Sequence, residues 1–493
     1  MSASDQPSSA PPQAAPTAQP EGAPTSWSSG QRAEPGRGSV VGIVTTETTS
    51  LGDRSYLIVD GTKAAVVDPQ RDIDRVLAAL DAQGLTLTVV VETHVHNDYV
   101  TGGLELADRT GATYVLPRGE QVAFDHVSAG DGAEFAVGDR VVLRAVDTPG
   151  HTPHHISYVA MANGEPIAVF TGGSLLYGTV GRTDLISAED TEGLTRAQYR
   201  SAHRLAAELP ATVSVHPTHG FGSFCSSASS SGSDASTIAE EQRTNIALTI
   251  GDEAAFVETL LSGLTASPRY YAHMAPRNRQ GPAPVDLSPP ELVGPVELRR
   301  RIQAREWVVD LRDRKAFAQL HLAGTINVAI GDSFATYLGW TIRWGTPVTL
   351  VGDTAVEVAE AQRQLVRIGI DRPAGAATGG LDTWGAGGDL CSYRSATFAE
   401  LADEQCGGLT VLDVRRHDEW GAGHLDGALH VPLDELEDRM GEVPAEGPVW
   451  VHCASGFRAS LAASLVDRAG REVVAIHDKW DRAPAYDALA IRR

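Results

Sequence analysis

The segment Thr93-His94-Val95-His96-Asn97-Asp98-Tyr99 spaces two imidazoles and a carboxylate at every second residue. On an extended backbone, alternate residues project to one side, so His94 and His96 can take adjacent positions on one metal ion. A third imidazole is offered by His151 in Asp147-Thr148-Pro149-Gly150-His151-Thr152, and a fourth by His219 in Pro217-Thr218-His219-Gly220. Histidines gathered from several chain segments beside Gly and Thr form a common layout of a catalytic metal site. The alternative is a set of hydrogen-bonded structural histidines. The second reactive group is Cys453, in His452-Cys453-Ala454-Ser455-Gly456-Phe457-Arg458. A cysteine in a tight loop facing a helix N-terminus meets inward-pointing backbone N–H groups and positive potential, which favour the nucleophilic thiolate. The alternative there is a buried, inert thiol.

The elements that must position these groups are visible in the pattern around them. Ser55 to Asp60 and Ala64 to Asp68 read as two strands joined at Asp60-Gly61, and Asp72 to Asp81 has helical spacing. Leu85 to Val91 (LTLTVVV) reads as a buried strand ending just before His94. Apolar runs also precede His151 (VVLRAV) and His219 (TVSV). Alternating strands and helices to about residue 270 predict an α/β layered domain, residues 38–275. Pro448 to Val451 reads as a strand feeding the Cys453 loop, with a helix beyond it.

An internal repeat occupies the C-terminal part. Asp310-Leu311-Arg312 recurs as Asp413-Val414-Arg415, and His321-Leu322-Ala323-Gly324-Thr325 as His424-Leu425-Asp426-Gly427-Ala428, both at the same offset. The offset is too long for a solenoid and suits a tandem duplication of a small domain, at 296–390 and 397–493. The Pro-, Gly- and Arg-rich stretch 276–295 reads as a linker. In the first copy the cysteine slot falls at or near Gly352, so that copy lacks the nucleophile and reads as a structural or docking unit.

Composition narrows the function. The chain has 493 residues, 40 Lys and Arg against 63 Asp and Glu, and a formal net charge of −23. That balance argues against a nucleic-acid partner. The 4 cysteines cannot form a disulfide framework and suit a reducing compartment, here the cytoplasm. No apolar run is long enough to span a membrane. Residues 1–37 are Pro/Ala/Ser-rich and expected to be disordered, being too poor in large apolar groups to offset their ordering entropy. Nothing here fixes the oligomeric state, and a homo-oligomer is compatible with it.

THVHND, PGHT, FTGGSLLYGTVGRTDL and PTHG together resemble the metallo-β-lactamase fold of the glyoxalase II and persulfide dioxygenase branch, over residues 40 to 270. The resemblance implies an αββα sandwich with the metal at the edge of two facing sheets. It matches His94, His96 and His151 to a first metal position, and Asp98 and His219 to a second. The family usually carries His where this chain has Tyr99, and a ligating Asp where it has Gly173. Those departures leave a three-His site with Asp98 as a substitute carboxylate, holding a single iron, a single zinc, or no metal. Arg182, in the family's GRTD segment, could clamp a substrate carboxylate or form an ion pair with Asp184. Cys225 could lie near the same mouth, but a small buried hydrophobe is the preferred reading.

The Cys453 segment resembles the active loop of rhodaneses, with four residues between Cys453 and Arg458 where cysteine phosphatases have five. Leu412-Asp413-Val414-Arg415, Glu419-Trp420 and Gly423-His424 agree with that family. The resemblance implies two α/β domains with parallel sheets, a persulfide carried on Cys453, and an anion held by Ser455, Gly456, Arg458 and the loop amides. Joined, the two resemblances imply oxidation of a low-molecular-weight thiol persulfide at mononuclear iron, coupled to sulfur transfer to or from that thiol or thiosulfate. The alternatives are a zinc-dependent thioester hydrolase of glyoxalase II type, and a metal-free scaffold whose only chemistry is sulfur transfer.

Overall fold

A computed structural model describes residues 41–227, 234–404 and 409–492. The Pro/Ala/Ser-rich segment 1–37 and Cys406 lie outside the described residues.

Two six-stranded sheets face each other in the N-terminal part. The first runs in chain order through Val41–Thr48, Asp53–Asp60, Lys63–Val67, Thr86–Val91, Thr113–Pro117 and Val127–Ala129. Its first three strands pair antiparallel and the others parallel. The second joins Ser236–Thr237, Ser214–Pro217, Glu165–Gly172, Ile156–Ala162, Val141–Asp147 and Glu134–Ala136. Alternation decides which side chains fill the space between them. Tyr56, Ile58, Val89 and Val91 from one sheet meet Leu143, Tyr158, Ala160 and Phe170 from the other. Each fully buried aliphatic or aromatic side chain there contributes roughly 1.5–3 kcal/mol. The opposite phase of each sheet buries against helices. Leu57, Val66 and Val90 pack under Asp74–Gln83 and Gly103–Thr110, and Val159, Val169 and Val215 under Ala188–Glu208. The result is the αββα sandwich.

Four strands end at one edge of this sandwich. Thr86–Val91 delivers His94 and His96, Val141–Asp147 delivers His151, Glu165–Gly172 delivers Gly173, and Ser214–Pro217 delivers His219.

The C-terminal part holds two parallel sheets. One has the order Ile326–Asn327, Trp307–Asp310, Val348–Val351, Gly375–Ala377. The other has Leu429–His430, Thr410–Asp413, Val449–His452, Val473–Ile476, Arg394–Ala396. The duplicated segments occupy the same places in both. The structure differs from the expected linker at 276–295, because a helix at Tyr271–Gln280 runs through Pro276 and the next one begins at Pro295. Buried Tyr271, Met274, Ala275 and Asn278 hold the first of these in place despite its proline. Among the described residues, no helix is long and apolar enough to cross a membrane.

Candidate metal centre and cysteine loop

At the sandwich edge His94, His96, His151 and His219 form one buried cluster. The ring of His94 lies 4.1 Å from that of His96, 4.8 Å from His151 and 5.3 Å from His219, centroid to centroid. Each ring is oriented through one nitrogen. Thr93 Oγ1 donates to Asp68 Oδ2 at 2.7 Å and so accepts from His94 Nδ1 at 2.9 Å. His151 Nδ1 donates to the Arg182 carbonyl at 2.7 Å, and His219 Nδ1 to Asp53 Oδ1 at 2.9 Å. With Nδ1 committed, Nε2 of each ring is left to face inward, the outer-sphere pattern of metal-ligating histidines. His94 Nε2 and His219 Nε2 face each other at 3.3 Å, and His151 Nε2 has no partner. His96 is reversed: its Nε2 lies 3.3 Å from Asp68 Oδ1 and 3.2 Å from Glu92 Oε2, leaving Nδ1 unpartnered. The Nε2 lone pairs of His94 and His219, 3.3 Å apart, require a cation between them, a proton or a metal. The donor set therefore fits a metal ion.

Electrostatics sort the same residues. Burial holds His94 well below the usual imidazole range and brings His151 down to about 3, so both are neutral and ready to ligate. For His96 burial is outweighed by Asp68 and Glu92, which push it up to about 9. Burial and the adjacent Asp98 push Asp53 up to about 7, against the opposing pull of His219. Asp98 stands 3.1 Å from His219 Nδ1, with Oδ1 4.0 Å from His96 Nδ1, inside the cluster. Tyr99 is not aimed at it: its hydroxyl meets His96 Nε2 at 3.0 Å and its ring stacks on His96. Gly173 is a place where no side chain fits, since a Cβ would lie 2.3 Å from His151 Cδ2. Cys225, read from sequence as filler, lies in the cluster. Its sulfur and the ligand nitrogens of His151 and His219 are all within 4.8 Å of one another.

Arg182 has a task other than clamping substrate. Its Nε and Nη2 each hold an Asp184 oxygen at 2.7 Å, Nη1 meets the Phe224 carbonyl at 3.1 Å, and Nη2 also meets the Thr265 carbonyl. With its side chain 3% exposed, the guanidinium has no face for a ligand. The ion-pair alternative describes this geometry.

The cysteine loop follows the strand Val449–His452 and precedes the helix Phe457–Arg468. Gly456 turns it with φ 94°, and the N–H groups of Gly456 and Ala459 point at Cys453 Sγ at 3.1 and 3.3 Å. Ser455 is exposed at the lip. Arg458 does not face the sulfur's anion site as expected. Its guanidinium is bidentate to Glu419 at 2.6 and 2.7 Å, tying the loop to the helix His417–Ala422. Two backbone amides cradle the sulfur. In the first repeat only Gly352 and Asp353 separate the strand from Thr354, which caps the next helix in a reciprocal box with Glu357. That helix N-terminus is capped by its own side chains, and among the described residues no thiol stands before it.

Residues outside the duplicated copy wall the Cys453 site, which the sequence did not indicate. Tyr337 packs 5.4 Å from Phe457, Trp340 meets Phe224 edge-on at 4.7 Å, and both line a small cavity with Arg416, Leu433 and Arg458.

A histidine-lined edge on an αββα sandwich, followed by a strand–loop–helix cysteine cradle, defines a metallo-β-lactamase-type domain fused to a rhodanese-type domain. Residues 52–219 match the Metallo-beta-lactamase superfamily and residues 397–480 the Rhodanese-like domain. Human "Persulfide dioxygenase ETHE1, mitochondrial" is 32% identical over 215 residues, 42% of this chain and 73% of the relative. A hydroxyacylglutathione hydrolase of Methylobacillus flagellatus is 36% identical over 166 residues, 33% of this chain and 60% of the relative. A crystal structure of a metallo-beta-lactamase from Staphylococcus aureus subsp. aureus COL superposes with TM-score 0.61 and 26% identity, over 68% of this chain and 98% of that one. The chain belongs to the metallo-β-lactamase superfamily and carries a C-terminal rhodanese-like domain.

Proposed function

We propose that this protein is an enzyme of sulfane-sulfur metabolism in which Cys453 transfers sulfur and the histidine centre oxidises a low-molecular-weight thiol persulfide. The observation that carries the reading is the Cys453 cradle, a tight strand–loop–helix turn with two backbone N–H groups aimed at the sulfur. The relatives named as persulfide dioxygenases support the other half.

The Cys453 thiolate attacks the outer sulfur of thiosulfate or a thiol persulfide. A new S–S bond forms as the old one breaks, and sulfite or the thiolate leaves. A second thiol then takes the outer sulfur from the Cys453 persulfide, regenerating the thiolate, so one transfer is split into two easier steps. The amides of Gly456 and Ala459 stabilise the Cys453 thiolate before attack and when it is regenerated. In the first domain His94, His96, His151, His219 and Asp98 would hold the metal, with Asp53, Asp68, Thr93 and the Arg182 carbonyl orienting the rings. Iron held there would supply oxygen chemistry for a persulfide, and zinc would supply water activation for a thioester.

The experiment is metal analysis of anaerobically purified protein, followed by oxygen uptake with glutathione persulfide and thiosulfate:cyanide sulfur transfer. Near-stoichiometric iron, persulfide-dependent oxygen uptake, and transfer abolished by Cys453→Ser are expected. Zinc with thioester hydrolysis, or no metal with transfer alone, overturns the oxidation half. Transfer that survives Cys453→Ser overturns the other.

A further inference from the structure

The structure assigns Cys225 as a thiolate ligand of the metal centre, completing a His151–His219–Cys225 donor set. The inference deepens the metal-centred reading above and rests on it. Three observations carry it.

The first is position. The sulfur of Cys225 and one ring nitrogen each of His151 and His219 lie within 4.8 Å of one another, all three side chains fully buried. His151 Nε2 is orphaned in this space. A fully buried imidazole nitrogen without a partner is unfavourable, and the Cys225 sulfur is placed with it in a group that could share an ion.

The second is that the placement is built. The Arg182 backbone holds both ligands at once: its N–H donates to the Cys225 carbonyl at 2.8 Å, and its carbonyl accepts from His151 Nδ1 at 2.7 Å. The Arg182 guanidinium fixes the neighbouring Phe224 carbonyl, and the Ser223 hydroxyl accepts from the Cys225 N–H at 3.2 Å. Ser226 bridges to Gly181, and the Ser227 N–H binds the Val180 carbonyl. These bonds fix the Cys225 segment to the residue that orients His151.

The third is the missing donor. Gly173, at the end of its strand on the same edge, presents only backbone, and the His151 ring fills the volume above it. The thiol reaches the cluster from another strand–loop junction and brings the negative charge that Gly173 cannot. When the ion binds, the S–H bond breaks, its electron pair forms the metal–sulfur bond and the proton leaves to solvent. A thiolate with two imidazoles is a borderline-soft N/S set, suited to zinc or ferrous iron rather than magnesium or calcium.

Cobalt(II) tests the assignment, because a thiolate ligand adds a near-ultraviolet sulfur-to-cobalt charge-transfer band that nitrogen and oxygen ligands lack. The full-length protein is stripped with chelator and titrated with cobalt(II) in four forms: wild type, Cys225→Ser, Cys391→Ser, and a triple Cys391→Ser/Cys406→Ser/Cys453→Ser variant that retains only Cys225. The expected result is a band in wild type, in Cys391→Ser and in the triple variant, and its loss in Cys225→Ser. The triple variant keeps the test decisive if Cys225→Ser does not fold. Cobalt bound by the triple variant with visible bands but no charge-transfer band overturns Cys225 ligation and leaves the metal centre standing. No cobalt bound by the wild type overturns both.

Discussion

The histidine centre depends at the residue scale on what is absent as much as on what is present. Gly173 and Gly181 leave room for the His151 ring; a Cβ on Gly173 would sit 2.3 Å from His151 Cδ2 and 2.5 Å from Cγ. The ring cannot retreat easily, because its Nδ1 is held by the Arg182 carbonyl. Gly173→Ala is therefore expected to cost about 1–3 kcal/mol through overpacking and to lower metal occupancy by turning His151 away. Thermal unfolding and metal content of the variant check this, and unchanged occupancy would refute it. The ligand-type residues themselves were legible in sequence, since His94, His96, His151, His219 and Asp98 sit in short motifs at strand ends. The roles of Cys225 and Arg458 were not, whereas the Arg182–Asp184 pair, two residues apart, was one of the readings the sequence offered. What a lone cysteine or arginine does depends on long-range partners: Cys225 lies with His151 across the fold, and Arg458 is taken up by Glu419. No local spacing encodes those partners.

At the scale of elements, the strands were legible because apolar alternation and β-branched runs are local signals, and the segments before His94, His151 and His219 all carry them. The helix Tyr271–Gln280 was not, because its Pro and Arg content reads as a linker. Tertiary hydrogen bonds explain why it forms where it does. Asn278 Nδ2 donates to the carbonyls of His96 and Tyr99, both at 2.9 Å, while its Oδ1 accepts from the Thr101 N–H at 3.0 Å. One side chain thus satisfies three backbone groups of the loop that carries His96 and Asp98. Asn278→Ala leaves those buried groups unpaired and frees the loop, so metal affinity is expected to fall about 10- to 100-fold, as for other outer-sphere groups, with the fold retained. A competition titration against a chromogenic chelator reads the affinity, and circular dichroism confirms folding. Wild-type affinity in this variant would contradict a positioning role for the helix.

Over the whole molecule, the repeat without a cysteine acts as a buttress. Its helix Ala355–Arg367 docks on the first domain. Arg367 N–H groups hold buried Asp72 at 2.7 and 3.1 Å, Arg363 reaches the same carboxylate at 3.3 Å, and the Arg367 carbonyl accepts from Val100 N–H at 2.7 Å, next to the metal loop. Arg75 adds a contact to Asp72 from within the first domain. Burial alone would raise the Asp72 carboxyl, but Arg367 and Arg75 outweigh it and hold it well below the usual carboxylate range. A carboxyl depressed in the folded state contributes stability that is present above its unfolded value near 3.8 and is lost as pH falls through the folded value. Asp72→Ala strands a buried arginine as well, so the expected loss at pH 7 is about 3–5 kcal/mol. The difference between wild type and variant should then start to shrink below about pH 4, where the carboxyl of the unfolded chain protonates while the folded one, held lower by its arginines, does not. Denaturant unfolding of both proteins from pH 7 down to pH 3 measures it. A gap that stays constant across that range would mean that the Asp72 charge does not hold the repeat to the metal domain. A gap that narrows toward pH 3 would show that the Asp72 charge, shared by Arg75 of its own domain and by Arg367 and Arg363 of the repeat, contributes to folding stability.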